Sequence, residues 1–188
     1  MAVRTALAYG AAMNDTLRIR DMTPDDCRRV SEIRINGWRT AYRGLIPQSY
    51  LDALDVDADT ARRRARLAQG DGVVNLVADR DGEVVGWAAH GPYRDGEALT
   101  EDAELYAIYV SPQVLGAGAG RALLAESTRR CTAAGHERML LWVLRENTRA
   151  RRFYERAGFH ADGTEETFEA DGAAVPEVRY AADLPLPG

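Results

Sequence analysis

The chain has 188 residues, a formal net charge of −5, 46% hydrophobic and 28% charged residues, a balance that fits one soluble globular domain. The acidic surplus argues against general affinity for nucleic acid or an anionic membrane surface, and no apolar run reaches the roughly 18 residues that span a bilayer. All 24 basic residues are arginine, which excludes Schiff-base lysine chemistry and the lysine-bearing nucleoside-triphosphate loop. Cys27 and Cys131 stand alone, and His90, His136 and His160 are scattered. No metal site is expected, and reduced cysteines suit a cytoplasmic protein.

Residues 1–13 read as a loose arm and 14–186 as the domain. Alternation in "TLRIR" (16–20) predicts a strand. Thr23 and Pro24 then predict a helix start, with Val30, Ile33 and Trp38 on a helix that runs to about Thr40. "YRGLIPQSYLDAL" (42–54) predicts a turn and a short helix, and 58–69 a polar helix that ends near Gly70. Two apolar runs flank Asp81-Gly82, a tight-hairpin signal. "RDGEALTEDAE" (94–104) reads as a solvated acidic loop before the strand "ELYAIYV" (104–110). After a glycine loop, a helix reaches about Ala134, with Leu123, Leu124, Ser127 and Cys131 on one face. "RMLLWVL" (138–144) reads as a central strand, apolar on both faces. Asn147 predicts a helix cap, with Ala150, Phe153, Tyr154 and Ala157 as a buried stripe that Gly158 ends. Strands near 159–168 and 175–182 complete one mixed α/β domain.

"LGAGAGRALL" (115–124) places three glycines at alternate positions between a strand and a helix, an order that aims N–H groups and a positive helix end at an anion. A dinucleotide fingerprint fails in both registers, because its third glycine falls on Arg121 or on Leu123. What remains open is another phosphate-bearing ligand or a turn that only packs the helix onto the sheet.

"YVSPQVLGAGAGRALL" (109–124) and "LWVLRENTRARRFYERAGF" (141–159), in this order and at this separation, resemble the GNAT superfamily of N-acetyltransferases. The resemblance extends from about Asp15 to Asp183. It implies a GNAT-like α/β domain whose mixed, mostly antiparallel twisted sheet of six or seven strands is flanked by helices on both faces. It also implies acetyl-CoA as acyl donor without a metal, and direct transfer to a primary amine of a small molecule or peptide. Homodimers are common in the family.

Carried onto this chain, Leu115, Gly116, Ala117, Gly118, Ala119, Gly120 and Arg121 form the pyrophosphate loop. The main chain of Tyr109 and Val110 pairs with pantetheine, which Asn147 also contacts. Tyr154 takes the place of the proton donor to the coenzyme thiolate, and Glu104 that of a general base. The acceptor falls beside Trp38, Tyr42, Arg43 and His90. One departure is Leu115, where the family pattern has glutamine or arginine. On the residues alone, Tyr154 also reads as a core tyrosine, and Glu104 as the start of a strand. The alternative function is a non-catalytic acyl-CoA-binding regulatory module.

Overall fold

In the computed structural model, which describes residues 16–70, 72–96 and 98–186, seven strands form one sheet in the order β1-β2-β3-β4-β5-β7-β6. They are β1 Leu17–Asp21, β2 Val74–Arg80, β3 Glu83–Asp95, β4 Ala98–Val110, β5 Arg138–Leu144, β6 His160–Ala170 and β7 Ala173–Asp183. Every neighbouring pair is antiparallel except β4 and β5. The sheet therefore matches the expected α/β class. The arm expected over 1–13 lies outside the described residues.

The helices are α1 Cys27–Ala41, α2 Gln48–Asp52, α3 Val56–Gln69, α4 Ala119–Ala133 and α5 Thr148–Arg156. Alternation along the strands sends apolar side chains to both faces. Cys27, Val30 and Ile33 of α1 meet Val77, Val84, Trp87 and Ala89 on one face. Leu123, Leu124 and Cys131 of α4 meet Leu76, Leu105, Met139 and Leu141 on the other. Burial of each such leucine contributes about 1.5–3 kcal/mol. The start of α1 is tied to the sheet by charge. Arg20 donates to Asp79 at 2.9 Å and to Asp26 at 2.7 Å, and Asp26 accepts the Thr23 N–H at 2.8 Å. The guanidinium holds the Asp26 carboxyl below its ordinary value.

Asp81 and Gly82 take positive φ values of 53° and 89°, the geometry of the expected tight hairpin. The acidic stretch 94–104 differs from its expected loop. β3 runs to Asp95 and β4 begins at Ala98, so most of it is a hairpin arm. Charge made it look like a loop, but an antiparallel sheet with one face in water also carries charged residues.

Two irregularities of β4 shape the molecule. It pairs with β5 only at Ala103↔Met139 and Glu104↔Leu140; beyond that point the two strands diverge and leave a cleft. Against β3 the register passes from Leu105↔His90 to Ala107↔Ala89, so Tyr106 is an extra residue, a β-bulge that reverses side-chain alternation. Leu105 joins the core under α4, whereas Ala107 and Tyr109 pack with α1. Glu104, opposite in parity to Leu105, shares the α1 face with Tyr109.

Candidate functional site

The cleft is bounded by two strand edges and two helix starts. From Leu105 onward the β5-facing edge of β4 has no strand partner, so its N–H and C=O groups are open to an extended ligand. At its wide end lies the glycine loop. Gly116 and Gly118 have φ of 87° and 88°, the left-handed region that glycine enters without steric penalty. Gly118 is the N-cap of α4. The first α4 main-chain bond joins the Ala122 N–H to the Gly118 carbonyl at 3.0 Å, which leaves the N–H groups of Ala119, Gly120 and Arg121 without helical partners. A Cβ at Gly120 would lie 3.5 Å from Val110 and 3.7 Å from Phe153, ordinary contact distances, so β4 and α5 both pack against the start of α4 here. Leu115 is 41% exposed and spends no side chain on the core. The pattern glutamine-x-x-glycine-x-glycine also occurs two residues earlier, from Gln113 to Gly118, where the Ser111 hydroxyl donates to the Gln113 side-chain oxygen.

Asn147 caps α5 as expected, its side-chain oxygen accepting the Ala150 N–H at 3.2 Å. Arg151 fastens the helix to the sheet by donating to the Tyr180 hydroxyl at 2.9 Å and to the Arg145 carbonyl at 2.9 Å. Tyr154 is 8% exposed, in the core cluster with Leu141, Val143 and Phe159. Its hydroxyl has no hydrogen-bond partner among the described residues, and it couples electrostatically to Tyr109. The Tyr109 and Tyr42 hydroxyls lie 3.3 Å apart. Burial pushes up all three phenols.

Glu104 sits at the closed end of the cleft, half-buried. Burial, reinforced by the charge of Glu166, pushes its carboxyl up to about 7. Glu177 is likewise pushed up to about 7 by burial and by Glu166. Laterally paired strand residues share a face, which links Glu104 through Leu140 to Ala181, and by alternation to Arg179 and Glu177. Glu166 stands directly opposite Glu177. Sequence reasoning missed both residues. The only local signal was the charge of two otherwise ordinary strand positions.

The four acceptor-side candidates do not all gather at the cleft. Tyr42 joins the tyrosine cluster. Trp38 packs against the same cluster, its ring 5.0 Å from Tyr42 and 5.9 Å from both Tyr50 and Phe168, and its side chain acts on the Tyr109 phenol. His90, 2% exposed, lies on the opposite face, paired with Leu105 and influenced by Arg130, Glu126 and His136. It is not among the groups gathered at the cleft, because β3 alternation sends it under α4. Burial pushes its imidazole down to about 4. Arg43 makes an isolated bridge with Ile46 in the α1–α2 turn. Among the described residues no cluster of His, Cys, Asp or Glu has metal-site geometry, and no helix is long and apolar enough to cross a membrane.

Residues 38–159 match the Acetyltransferase (GNAT) family. The chain is 31% identical over 160 residues to the "Uncharacterized N-acetyltransferase YuaI" of Bacillus subtilis, covering 85% of this chain and 89% of that protein. It is 27% identical to the "Probable N-acetyltransferase Rv2775" of Mycobacterium tuberculosis, over 87% and 92% of the two chains. Among solved structures it resembles a GNAT superfamily phosphinothricin acetyltransferase from Sinorhizobium meliloti in complex with AcCoA. That likeness has 27% identity and a TM-score of 0.70, over 90% of this chain and 89% of the other. A ribosomal-protein-alanine N-acetyltransferase from Brucella melitensis gives 25% identity and a TM-score of 0.71, over 89% and 99%. The chain belongs to the GNAT family and is an acetyl-CoA-dependent N-acetyltransferase.

Proposed function

We propose that the enzyme transfers the acetyl group of acetyl-CoA directly to a primary amine held on the sheet face shared by Glu104 and Tyr109. The observation that carries this reading is the cleft between β4 and β5. Its closed end holds Glu104, its wide end holds the N-terminus of α4, and α5 carries Tyr154, which couples to Tyr109 on β4.

Acetyl-CoA supplies an acetyl group activated as a thioester. The open N–H groups of Ala119, Gly120 and Arg121 suit its pyrophosphate, and the unpaired main chain at Tyr109 and Val110 suits the pantetheine amides. Loop residues Leu115, Gly116, Ala117 and Gly118 keep these donors facing outward, and Asn147 fixes the start of α5 beside the same arm. Leu115 offers no side-chain donor, so grip rests on the main chain.

Glu104 removes the proton of the attacking ammonium, directly or through water. A carboxyl near 7 exists in both protonation states at neutral pH, the condition for efficient general base catalysis. Tyr154 donates to the departing sulfur. Its phenol keeps its proton at neutral pH, and burial makes it a weaker acid than an ordinary tyrosine. It therefore works first as a hydrogen-bond donor to developing negative charge. Positioning of amine and thioester supplies much of the remaining acceleration.

The test is release of free thiol from acetyl-CoA with a panel of small amines and short peptides. Turnover should appear with at least one amine, fall roughly a hundredfold in kcat for Tyr154→Phe, and leave coenzyme binding intact. Undiminished kcat in both Tyr154→Phe and Glu104→Gln would defeat the assignment.

A further inference from the structure

Tyr106, the bulge residue of β4, stands on the Glu104 face together with Ala107 and Tyr109, while Leu105 and Ile108 turn toward α4. Its ring lies back across β3. A Cβ added to Gly91 would meet ring carbon Cε2 and the hydroxyl oxygen of Tyr106 at 3.0 Å each, and the hydroxyl donates to the Pro92 carbonyl. Gly91 is the β3 residue directly opposite Glu104, and the side chains of such a pair start about 5 Å apart. The ring therefore walls the Glu104 side chain on its β3 flank. With 38% of its surface exposed, Tyr106 is not a core residue, so core packing does not account for this anchor.

On its other flank the carboxylate faces the cleft, because β4 and β5 part just beyond Glu104. The charged neighbours on this face are mostly occupied with one another. Arg138 from β5 pairs with Asp102, and Arg179 from β7 pairs with Asp162 and donates to the Tyr93 hydroxyl at 3.0 Å. Glu177 and Glu166 come from β7 and β6, and the Tyr109 phenol lies further along β4. Among the described residues only the charge of Glu166 acts on Glu104, and it does less than burial, the main cause that carries the carboxyl to about 7. An aromatic ring laid along one side of a carboxylate supplies burial of that kind.

We propose that Tyr106 is a positioning residue that acts through Glu104. Its ring, anchored over Gly91, closes the β3 side of the carboxylate to water and leaves the cleft as the direction from which an amine reaches it. This rests on the proposed transfer to an amine with Glu104 as base, and adds what governs the approach to that base. The ring takes no proton and forms no bond with the substrate; the hydroxyl serves only to hold the ring in place.

The test follows the Glu104 carboxyl carbon by NMR in the ligand-free protein, its signal assigned by its loss in Glu104→Gln, and so needs no turnover. Tyr106→Ala should lower the titration midpoint from about 7 by about one pH unit or more. Tyr106→Phe, which keeps the ring, should leave the midpoint in place. With an amine that is acetylated, Tyr106→Ala should also reduce kcat/KM about tenfold at pH 9, where the carboxylate is ionised in both proteins. Coenzyme A affinity should not change, and Tyr106→Phe should retain most of the activity. An unmoved midpoint in Tyr106→Ala overturns the proposal whatever the kinetics. A lowered midpoint with undiminished kcat/KM overturns the part of Tyr106 in the reaction. A lowered midpoint in a protein that acetylates no amine overturns the transfer reading instead and leaves the shield intact.

Discussion

A Cβ added to Gly37 would lie 3.0 Å from Cδ1 of Tyr109, so any side chain at this helical position would push the Tyr109 ring by a few tenths of an ångström. Glycine inside a helix costs about 1 kcal/mol relative to alanine, and here that cost secures the place of the Tyr109 ring and its contact with Tyr42. Gly37→Ala should leave the thermal midpoint nearly unchanged, since gained helix propensity offsets strain. It should lower kcat/KM for the amine about tenfold by displacing Tyr109. Unaltered kinetics with a lowered midpoint would show that Tyr109 has no part in placing the acceptor.

Gly118→Asp should abolish coenzyme binding. Its φ of 88° is strained for any side chain, and the added carboxylate would face the same anion that the α4 N–H groups attract. Gly118→Ala carries the strain, about 1–2 kcal/mol, without the charge. Calorimetry with free coenzyme A on both variants separates backbone geometry from electrostatics. Equal affinity of Gly118→Asp and wild type would remove the loop from the binding site.

Glu104 gives a pH signature with a defined sign. The base must be ionised, so kcat/KM should bend as pH rises through about 7, and Glu104→Gln should leave only the acceptor's own ionisation. Stability runs the other way. A carboxyl raised from 4.5 to about 7 in the folded state favours folding below pH 4.5, and that contribution disappears as pH rises through 7. Glu104→Gln should therefore gain on the order of 1 kcal/mol over wild type at pH 9, allowing for partial exposure, and little at pH 4. Denaturant titrations at the two pH values measure the difference.

His90 should contribute acid lability. Its imidazole falls from 6.5 to about 4 on folding, so stability complete above pH 6.5 is lost as pH drops toward 4. The ring nitrogen Nδ1 is buried without a hydrogen-bond partner among the described residues, which makes protonation there expensive. His90→Gln should flatten the stability profile between pH 4 and 6.5 and leave kcat at neutral pH unchanged. A changed kcat with normal stability would return His90 to the reaction.

An acetyltransferase whose 24 basic residues are all arginine offers acetyl-CoA no side-chain amine of its own. Prolonged incubation with excess acetyl-CoA should leave every internal peptide unmodified at nitrogen in mass spectra. An internal N-acetyl group would contradict this.

What was legible in the sequence was local. The Asp81-Gly82 turn, the Asn147 cap and the alternate glycines each depend on neighbours a few residues away, and the structure has all three. Glu166 and Glu177 depend instead on strand order. β7 inserts between β5 and β6, and only that crossover brings them onto the face of Glu104. His90 was misplaced for a related reason. Its face follows from alternation along β3, which a lone strand pattern does not orient toward either helix layer. The acidic stretch misled because charge reports on solvent, and one side of a hairpin arm meets solvent too.

The bulge at Tyr106 turns the site into a matter of counting. Glu104 and Tyr109 are five residues apart, an odd step that in a regular strand points them to opposite sides, and the one supernumerary residue restores agreement. Substitutions between them are thus constrained by fit, but length is constrained absolutely. A chain shortened by one residue in this interval would keep both Glu104 and Tyr109 and send the carboxylate to the α4 side of the sheet. The two halves of the reaction would then face different layers of the same molecule.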